Sequence, residues 1–331
     1  MRVGDAPDVR PAGLWDAALG TAGSAPGAYH PRMGAGGART ILVTGAAGPA
    51  GRALGVQLAG RDGGRLRAVG ADMAPVPVTG FDVVEAVPAA GDPRYERATL
   101  DLLERVRPDL VLPTVSEELA RIAVLGRAAG LGSTLVTSSA GAAAVAGDKL
   151  LTMWTLARAG VAVPAHAGAD AFASAADALA WAGGPVVVKP RVARGGRGVH
   201  VVEDPRDPVW SRVDAAWIVQ VFAPAVEYSP QVYRSPATGR CVVVVLEKAE
   251  LELGRIGNAT AVERLRDGAA PDVAALAVAT VEALDLVGPV DMDVRRLSDG
   301  TPVVLEVNAR FGAVSAAAPQ VLDAVLEQWP G

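Results

Sequence analysis

The sequence predicts an α/β protein of two parts, and three observations support that prediction. From residue 39 to residue 147, apolar runs typical of strands alternate with helical patterns, which indicates a parallel sheet with right-handed crossovers. After Pro164 the chain becomes rich in strand-like runs, so the second part differs in architecture. The 331 residues, 50% of them hydrophobic, suffice for two domains with substantial cores.

The first part is predicted to begin with a strand, a glycine turn and a helix in TILVTGAAGPAGRAL, where Leu54 and Leu58 lie one turn apart. Further strands are expected at 66–73, 81–88, 108–114 and 133–139, and helices at 95–106 and 116–130, with Ser116 as N-cap of the latter. This domain spans 39–147. Residues 1–38, rich in Gly, Ala and Pro, are expected to form a flexible extension.

The second part is predicted to open with a helix that begins at Asp148 and Lys149 and is closed by Gly160. Strands are expected at 184–190, 198–203, 217–222, 228–234, 240–250, 288–297 and 301–311, with one helix at 271–286. We expect two lobes here, 148–222 and 223–331.

Composition excludes several classes of function. The formal charge is -5 and no block of five basic residues occurs, which argues against a nucleic-acid partner. The uncharged stretch 128–147 contains four glycines and five Ser or Thr residues, which indicates turns and a strand rather than a membrane helix. No signal peptide is visible, and Cys241 is the single cysteine. We therefore expect a cytoplasmic protein without a membrane partner.

A glycine-rich turn, formed by Gly45, Gly48 and Gly51, separates the first strand from its helix. Such a turn can cradle phosphate, as in a nicotinamide-dependent oxidoreductase or epimerase, with Asp72 holding a ribose. The alternative is that the glycines only permit a tight turn and close helix packing. No tyrosine stands four positions before a lysine, which disfavours the hydride-transfer enzyme.

A second glycine-rich segment, VVVKPRVARGGRGVHVV (186–202), predicts a hairpin flap. A strand delivers Lys189, and the loop that follows contains Gly195, Gly196 and Gly198. Glycines let backbone N–H groups approach phosphate oxygens while a lysine supplies positive charge. Since a lysine at the end of an apolar strand is costly to bury without an anion, the segment favours a phosphate site.

The segment GPVDMDVRRLSDGTPVVLEVNARFG (288–312) predicts two strands joined at Ser298–Gly300. Their pairing would place Asp293 opposite Glu306, and the two-residue period of a strand puts Asn308 on the same face as Glu306. Carboxylate and amide oxygens suit Mg²⁺, with phosphate oxygens completing its shell. Arg310, on the same alternation, could reach a transferring phosphoryl group.

Taken together, these segments resemble the ATP-grasp superfamily, in particular carboxylate-amine ligases of the branch that includes the carbamoyl phosphate synthetase large subunit. The resemblance covers Thr40 to Gly312 and rests on ILVTGAAGPAGRAL, PDLVLPTVSEEL, GDKLLTMWTLARAGVAVP, VVVKPRVARGGRGV, WIVQVFAPAVEYSPQVY, LEKAELELG and LEVNARFG. It implies a Rossmann-like domain followed by an ATP-grasp fold whose two α+β lobes clamp ATP.

The resemblance also implies roles for individual residues. For ATP, it implies that Lys149 and Lys189 hold the α and β phosphates, and that a loop covers these phosphates with Gly195, Gly196 and Gly198. It also implies that adenine is recognised by the backbone of Gln220, Val221 and Phe222. Glu227 is implied to hold the ribose. For the reaction, it implies that Asp293, Glu306 and Asn308 bind magnesium, Lys248 lies near the transferring phosphate, and Arg310 steadies an acyl phosphate. The sequence has Gln220 where many relatives have Glu, and Asp291 is an alternative to Asp293 as first metal ligand.

The expected activity is an ATP- and Mg²⁺-dependent ligase that activates a carboxylate as an acyl phosphate and joins it to an amine, releasing ADP and phosphate. The resemblance implies two Mg²⁺ ions, with Mn²⁺ as a substitute, and small-molecule substrates such as amino acids or small peptides. Dimers are common in this family, so a homodimer is left open. Two alternatives are carboxyphosphate chemistry on bicarbonate and a non-catalytic ATP sensor.

Overall fold

The computed structural model describes residues 39–59, 61, 66–193, 195–252, 254–257 and 259–329. The predicted N-terminal extension, residues 1–38, lies outside the described residues. No helix in the described part is both long and apolar enough to cross a bilayer.

The first part contains a four-stranded parallel sheet in the order β3-β2-β1-β4. Its elements, in chain order, are β1 (Arg39–Thr44), α1 (Pro49–Ala59), β2 (Leu66–Asp72), β3 (Val83–Ala86), α2 (Tyr95–Val106), β4 (Leu110–Leu112) and α3 (Leu119–Ala128). Ile41, Leu54 and Leu110 are buried in its core, because strands covered on both faces are apolar throughout. The predicted parallel sheet is confirmed.

Two details of this part were predicted wrongly. Residues 133–139 do not form a strand: a 3-10 turn occupies Gly132–Thr134, and one bridge joins Leu135 to Val111. Ser116 does not cap a helix, because it begins a 3-10 turn that ends at Glu118, and α3 starts only at Leu119. The Glu118 side chain turns inward, where its carboxylate accepts hydrogen bonds from the hydroxyls of Thr44 and Tyr95.

Residues 140–221 contain α-helices and a four-stranded antiparallel sheet in the order β5-β8-β6-β7. The elements of this region are α4 (Ala140–Gly147), α5 (Lys149–Arg158), β5 (His166–Gly168), α6 (Ala175–Ala182), β6 (Val186–Pro190), β7 (His200–Val202) and β8 (Trp217–Val221). Asp148 caps α5 by accepting from the Leu150 and Leu151 amides. Helix α4 was not predicted, because AGAAAVAG has no polar face to set a period.

A five-stranded antiparallel sheet follows, in the order β11-β10-β9-β12-β13. Its elements and flanking helices are β9 (Glu227–Arg234), β10 (Cys241–Leu251), β11 (Ala259–Arg264), α7 (Pro271–Ala283), β12 (Gly288–Arg296), β13 (Pro302–Asn308) and α8 (Pro319–Gln328). Helix α7 ends three residues before the predicted end at Leu286, since the backbone of Asp285 is left-handed. The domain boundaries at 147/148 and 222/223 stay a prediction.

Candidate active site

A single cleft of about 950 Å³ is lined by residues from all three sheets. Most of the predicted site residues line it: Lys189, Gly195, Gly196, Gln220, Val221, Phe222, Glu227, Lys248, Asp293, Glu306, Asn308 and Arg310. Gly198 lies between two lining residues of the same loop, and the Lys149 ammonium approaches the lining residue Glu306. The structure therefore brings together predicted site residues that are up to 161 positions apart in the chain, from Lys149 to Arg310.

Lys189 is a buried lysine at the end of β6, and its side chain is directed across the cleft floor. Its Nζ donates to the carbonyl of Leu305 at 3.0 Å, and the residue is only 5% exposed. Burial lowers the pKa of Lys189 to about 8, with Glu306 opposing and the charge of Lys149 adding to the shift. A phosphate in the cleft would provide the anion that this ammonium lacks.

Lys149, the first residue of α5, is held against the flap. Its Nζ donates to the carbonyl of Ala193 at 2.8 Å and lies 3.5 Å from Oε1 of Glu306. The preceding residue, Asp148, forms a two-point ion pair with Arg191, with contacts of 3.1 and 2.6 Å. These bonds connect the start of α5 to the loop after β6. The two predicted phosphate lysines, Lys149 and Lys189, both interact electrostatically with the carboxylate of Glu306.

The flap loop depends on glycine at each predicted position. Gly195, Gly196 and Gly198 all have left-handed backbone angles, φ between 61° and 73°, which other residues adopt at a cost. A Cβ at Gly198 would also lie 3.0 Å from the ring of Pro190. The sequence reasoning identified these glycines by their position between two strands, which β6 and β7 confirm as an antiparallel hairpin.

Strands β12 and β13 pair in the register that the sequence predicted. Asp293 lies opposite Glu306, and Asp291 lies opposite Asn308. A β-bulge follows Asp293, so the strand bends there and the residues beyond it change their alignment. The result is a row of carboxylate and amide oxygens along one edge of the cleft.

The two candidates for the first metal ligand differ in their surroundings. Asp291 is 8% exposed; its Oδ1 accepts from Ser229 and Gln231 at 2.9 and 2.5 Å, and its Oδ2 lies 3.4 Å from Arg310. Burial raises the pKa of Asp291, and Arg310 opposes that shift. The side chain of Asp293 is 30% exposed, so it is the more accessible carboxylate.

The donor set fits a hard cation that also binds phosphate. Within the described residues, no group of three or more His, Cys, Asp or Glu side chains is arranged to hold a metal alone. Asp293, Glu306 and Asn308 offer two carboxylates and one amide, which are oxygen ligands that Mg²⁺ accepts when phosphate and water complete its shell. The Asn308 amide lies 3.4 Å from Asp291 and 3.5 Å from the Ser116 hydroxyl, which orient it.

Lys248, on β10, is clamped between two acids. Its Nζ lies 2.6 Å from Glu227 and 2.7 Å from Asp293. Burial alone would lower the pKa of Lys248, but the charges of Asp293 and Glu227 raise it above its ordinary value. Glu227, the predicted ribose ligand, is also paired at 3.2 Å with Arg295.

Arg295 is a functional candidate that the sequence reasoning missed. It lines the cleft, and its guanidinium lies 5.2 Å from the ring centre of Phe222. The guanidinium of Arg255 lies 4.7 Å from the centre of the same ring. Asp291, Asp293 and Arg295 are spaced two residues apart, so the strand alternation that pointed to the two aspartates could also have pointed to Arg295.

The segment predicted to read adenine has little free backbone N–H. The Val221 amide donates to Ala165 at 2.8 Å, and the Phe222 amide donates to Pro185 at 3.0 Å. The side chain of Gln220 differs, because its buried Nε2 has no hydrogen-bond partner within the described residues. The N–H groups of Val221 and Phe222 are therefore already used within the fold, and the side-chain amide of Gln220 is available as a donor.

Arg310 follows β13 at the end of the acidic row. One terminal nitrogen, Nη1, donates to the Phe311 carbonyl at 2.8 Å, while its buried Nε has no partner within the described residues. Gly312 is required here, since a Cβ would lie 2.6 Å from the carboxylate carbon of Asp291. The guanidinium is thus fixed at one end and keeps an unsatisfied N–H.

The first glycine-rich turn also borders the cleft, but its polar groups are satisfied internally. Gly45 has a left-handed φ of 60°, and a Cβ on Gly51 would lie 2.2 Å from the Gly45 carbonyl oxygen. The carboxylate of Asp72 accepts from the amide of Ala47 at 2.9 Å. These contacts support the packing interpretation of the turn.

A mixed α/β fold in which phosphate-suited lysines, a glycine flap and a row of acids share one cleft defines a nucleotide-binding protein of the two-lobed type. The family model described as the ATP-grasp domain matches residues 146–314, half of the chain, and the chain belongs to that family. The family and fold class expected from the sequence are therefore confirmed. The narrower placement beside carbamoyl phosphate synthetase stays a prediction.

Solved structures share this fold at low identity. An L-amino acid ligase from Bacillus licheniformis matches with a TM-score of 0.64 and 17% identity, over 87% of this chain and 74% of the other. A D-alanine–D-alanine ligase from Bacillus anthracis matches with a TM-score of 0.59 and 17% identity, over 87% of this chain and 92% of the other. An N5-carboxyaminoimidazole ribonucleotide synthetase from Thermotoga maritima matches with a TM-score of 0.59 and 19% identity, over 82% of this chain and 69% of the other. Among curated proteins, the sequence has no significant match.

Proposed function

We propose that the protein is an ATP- and Mg²⁺-dependent carboxylate-amine ligase that acts on amino acids or small peptides. One observation carries the proposal: in one cleft, the buried Lys189 and the glycine flap face the oxygen row of Asp293, Glu306 and Asn308, with Arg310 at its end. The fold shared with an L-amino acid ligase and a D-alanine–D-alanine ligase supports the same class of reaction.

In the proposed reaction, a carboxylate oxygen of the first substrate attacks the γ phosphorus of ATP, and the bond to the β–γ bridging oxygen breaks. ADP leaves with that electron pair. The amine nitrogen of the second substrate then attacks the acyl carbon, the C–N bond forms, and phosphate leaves as the C–O bond breaks. The proton lost by the amine passes to water.

The residues of this chain would contribute position and charge. Lys149 and Lys189 would hold the α and β phosphates, and the flap would exclude water above them. Mg²⁺ held by Asp293, Glu306 and Asn308 would neutralise phosphate charge. Such electrostatic stabilisation dominates phosphoryl transfer, because the reaction needs little covalent help from the protein.

Arg310 and Lys248 would serve the transferring group. The buried Nε–H of Arg310 has no partner among the residues that the structure describes, and it could donate to a developing acyl phosphate. Lys248 is held by Glu227 and Asp293 beside the same row of oxygens. Glu227 would in addition bind the ribose, and the Gln220–Phe222 segment would bind adenine through its carbonyls.

The test is the release of ADP from ATP and Mg²⁺ by the full-length protein, with pooled amino acids, small peptides and small carboxylic acids. We expect ADP and phosphate in equal amounts, together with a condensed product whose mass is that of acid plus amine minus water. Release of AMP would refute acyl-phosphate formation. ADP release that needs bicarbonate alone would identify carboxyphosphate chemistry, and binding of ATP with no turnover in any pool would indicate a sensor.

Further parts of the proposal concern the setting of the enzyme. We propose a cytoplasmic location, where ATP is abundant and the single cysteine stays reduced. The homodimer left open by the sequence would be tested by sedimentation of the purified protein. Two Mg²⁺ ions per site, or Mn²⁺ in their place, would be measured by the metal dependence of turnover.

A further inference from the structure

Asp291 lies in the middle of three neighbouring strands beneath the reacting end of the cleft. On β12 it stands directly opposite Gln231 of β9 on one side and Asn308 of β13 on the other. Cross-strand neighbours of this kind have side chains close enough to interact. Asp291 therefore belongs to a polar row that crosses the sheet from the buried Gln231 to the proposed metal site.

Both oxygens of the Asp291 carboxylate are engaged by protein donors. Its Oδ1 accepts from the hydroxyl of Ser229 at 2.9 Å and from Nε2 of Gln231 at 2.5 Å. Its Oδ2 lies 3.4 Å from Nδ2 of Asn308 and 3.4 Å from Nη1 of Arg310. A carboxylate has about four acceptor sites, so these donors leave little capacity for a cation.

The Asp291 carboxylate is also covered by the chain that follows β13. A Cβ on Gly312 would lie 2.6 Å from the carboxylate carbon and 2.7 and 2.9 Å from its two oxygens. Asp291 is 8% exposed, whereas the side chain of Asp293 is 30% exposed. Because a metal ion needs an entry path to its ligands, Asp293 is the better placed of the two aspartates to hold one.

The charge of Asp291 determines which end of the Asn308 amide faces it. An ionised carboxylate only accepts hydrogen bonds, so it selects the Nδ2 end of the amide. The Oδ1 atom of Asn308 lies instead 3.5 Å from the hydroxyl of Ser116, which lines the cleft. An asparagine at position 291 would both donate and accept, and would lose this selection.

The same carboxylate holds one end of the Arg310 guanidinium. Nη1 of Arg310 donates to the carbonyl of Phe311 at 2.8 Å and lies 3.4 Å from Oδ2 of Asp291. The contact of 3.4 Å is long, so it depends on the carboxylate charge more than on hydrogen-bond geometry. Because a guanidinium is planar, fixing one end also fixes the direction of its other N–H groups.

We propose that Asp291 is a positioning residue of the reacting end and is not a metal ligand. Its carboxylate holds Nη1 of Arg310 and Nδ2 of Asn308, so that the Nε–H of Arg310 is directed at the transferring phosphoryl group. The inference rests on the proposed function, because that function defines the reacting end of the cleft. Asp291 then acts through Arg310 and Asn308, and touches neither phosphate nor cation.

The experiment compares the binding of ADP and Mg²⁺ with and without aluminium fluoride, which mimics a transferring phosphoryl group. Calorimetric titration of the full-length protein measures both affinities without any knowledge of the substrates. Aluminium fluoride should tighten the binding of ADP to the unmodified protein. Asp291→Asn, which keeps the shape of the side chain, should reduce this tightening at least about tenfold, the loss expected when a charged donor is no longer held. The affinity for ADP alone should stay within about threefold.

Binding of Mn²⁺ in the presence of ADP, followed by electron paramagnetic resonance, tests whether Asp291 is a ligand. Asp293→Asn removes the charge of a proposed ligand, whereas Asp291→Asn alters only the support of Asn308. Asp293→Asn should therefore weaken Mn²⁺ binding at least about tenfold more than Asp291→Asn does.

A double-mutant cycle shows whether Asp291 acts through Arg310. Arg310→Gln alone should remove the tightening by aluminium fluoride. In that background, Asp291→Asn should alter the remaining tightening by less than about threefold, because the group that it holds is absent. A residue that only supports the fold would lower the tightening by the same factor in both backgrounds.

Gln231→Met is a second variant that disturbs Asp291 from outside the described cleft lining. The Gln231 amide donates to Asp291 at 2.5 Å and to the Ser229 hydroxyl at 3.0 Å, so it influences the reacting end only indirectly. Its loss should reduce the tightening about three- to tenfold, the effect of one hydrogen bond. Matched controls are Asp285→Asn before β12 and Gln328→Met at the end of α8, both exposed, which should leave the tightening unaltered.

Three results would each overturn the inference: unaltered tightening in Asp291→Asn or Gln231→Met, equal losses in the two Arg310 backgrounds, or Mn²⁺ binding weakened as much by Asp291→Asn as by Asp293→Asn. Tightening that is absent from the unmodified protein would overturn it as well, and ADP release with pooled amino acids would then still support the ligase proposal. If no pool releases ADP while the tightening is present and depends on Asp291, the ligase proposal fails and this inference stands.

Discussion

Two glycine-rich turns border the same cleft, and the protein uses glycine differently in each. At Gly45–Gly51 the glycines allow helix α1 to pack directly on the preceding turn, where a Cβ on Gly51 would lie 2.2 Å from a carbonyl oxygen. At Gly195–Gly198 the backbone is left-handed, and a Cβ on Gly195 would meet nothing within 4 Å. Gly51 in the first turn is needed for its small size, whereas Gly195, Gly196 and Gly198 in the second turn share a left-handed backbone that other residues adopt at a cost.

The surroundings of the two turns explain the difference. The first is closed by Asp72, which accepts from the Ala47 amide, and Glu118 nearby has its carboxylate bonded to Thr44 and Tyr95. Beside the second turn, Lys189 is buried, and its Nζ donates to the carbonyl of Leu305. Changes near the first turn should therefore affect the free energy of unfolding, and changes around the second should affect nucleotide binding and turnover.

The largest expected effect is on turnover, from Glu306→Gln. The change keeps the size of the side chain and removes the charge that Lys149 and the proposed Mg²⁺ share. We expect kcat to fall by about 10²–10³-fold, the loss typical of one electrostatic stabiliser of a transition state. The measurement is ADP release at saturating ATP, with circular dichroism to show that the fold persists.

Glu263→Gln is the matched control, because Glu263 is exposed on β11 of the same sheet. It should retain the turnover of the unmodified protein. If Glu306→Gln also retained the turnover of the unmodified protein, Glu306 would be removed from the proposed metal site. The contrast between a first turn that serves stability and a second turn that serves turnover would then lose its support.

The next largest effect is on ATP binding, from Lys189→Met. Loss of a charged hydrogen-bond donor should weaken ATP by roughly 10- to 100-fold, equivalent to about 1.5–3 kcal/mol. The unliganded protein should be as stable as before or more stable, since a buried ammonium is costly. Calorimetric titration with ATP and thermal unfolding test both statements, and unaltered ATP affinity would contradict the assignment.

The pH dependence of the same residue sharpens this prediction. Because burial lowers the pKa of Lys189 to about 8, the free enzyme loses this positive charge as the pH rises through that value. Consequently kcat/KM for ATP should fall above pH 8. Lys189→Arg, which stays charged, should bind ATP and should lack this fall; the same decline in both proteins would assign it to another group.

Sequence patterns predicted the regular elements well where periodicity was strong. The parallel sheet, helix 95–106 and the pairing of Asp293 with Glu306 follow from alternation and spacing alone. Patterns failed where composition is uniform or polar. Helix α4 in AGAAAVAG has no distinct face, and residues 133–139 are mostly Ser and Thr and follow a left-handed Gly132, so they form a bridge at Leu135 rather than the predicted strand.

The sequence predicted which residues belong to the candidate site, but it did not predict which of them form ion pairs with each other. Lys189, Glu306 and Arg310 stand out by residue type and position. That Lys248 lies between Glu227 and Asp293 depends on strands β9, β10 and β12 being neighbours, which no local pattern encodes. Long-range contacts of this kind fix which carboxylates remain accessible to a cation.

A smaller effect, on stability, is expected from Gly51→Ala. The added Cβ would lie within 3 Å of backbone atoms of Gly45 and Ala46 that cannot easily move. Overpacking of this kind costs about 1–3 kcal/mol, and the gain in helix propensity offsets up to about 1 kcal/mol of it. Gly141→Ala in helix α4, where a Cβ meets nothing within 4 Å, is the control and should stabilise slightly. Equal unfolding midpoints for the two variants would show that the first turn is not packed as described.

The smallest effect is a pH dependence of stability from Glu118. Burial raises the pKa of Glu118 to about 7, while the hydroxyls of Thr44 and Tyr95 oppose the shift. The folded state thus binds this proton more tightly than the unfolded chain, and the resulting stability is complete below about pH 4.5 and is lost as the pH rises through 7.

Glu118→Gln resembles the protonated carboxyl, because it keeps one acceptor oxygen and places a donor at the other position near the hydroxyls of Thr44 and Tyr95, and it cannot titrate. The difference in unfolding free energy between the two proteins should therefore move in favour of the variant from pH 4.5 to 7, by at most about 1.4 kcal/mol per pH unit. Urea unfolding across this range measures it, with Glu104→Gln at an exposed site as the control. A difference that stayed flat would mean that Glu118 ionises at the same pH in the folded and the unfolded protein, so its burial beside Thr44 and Tyr95 would not make stability near the first turn depend on pH.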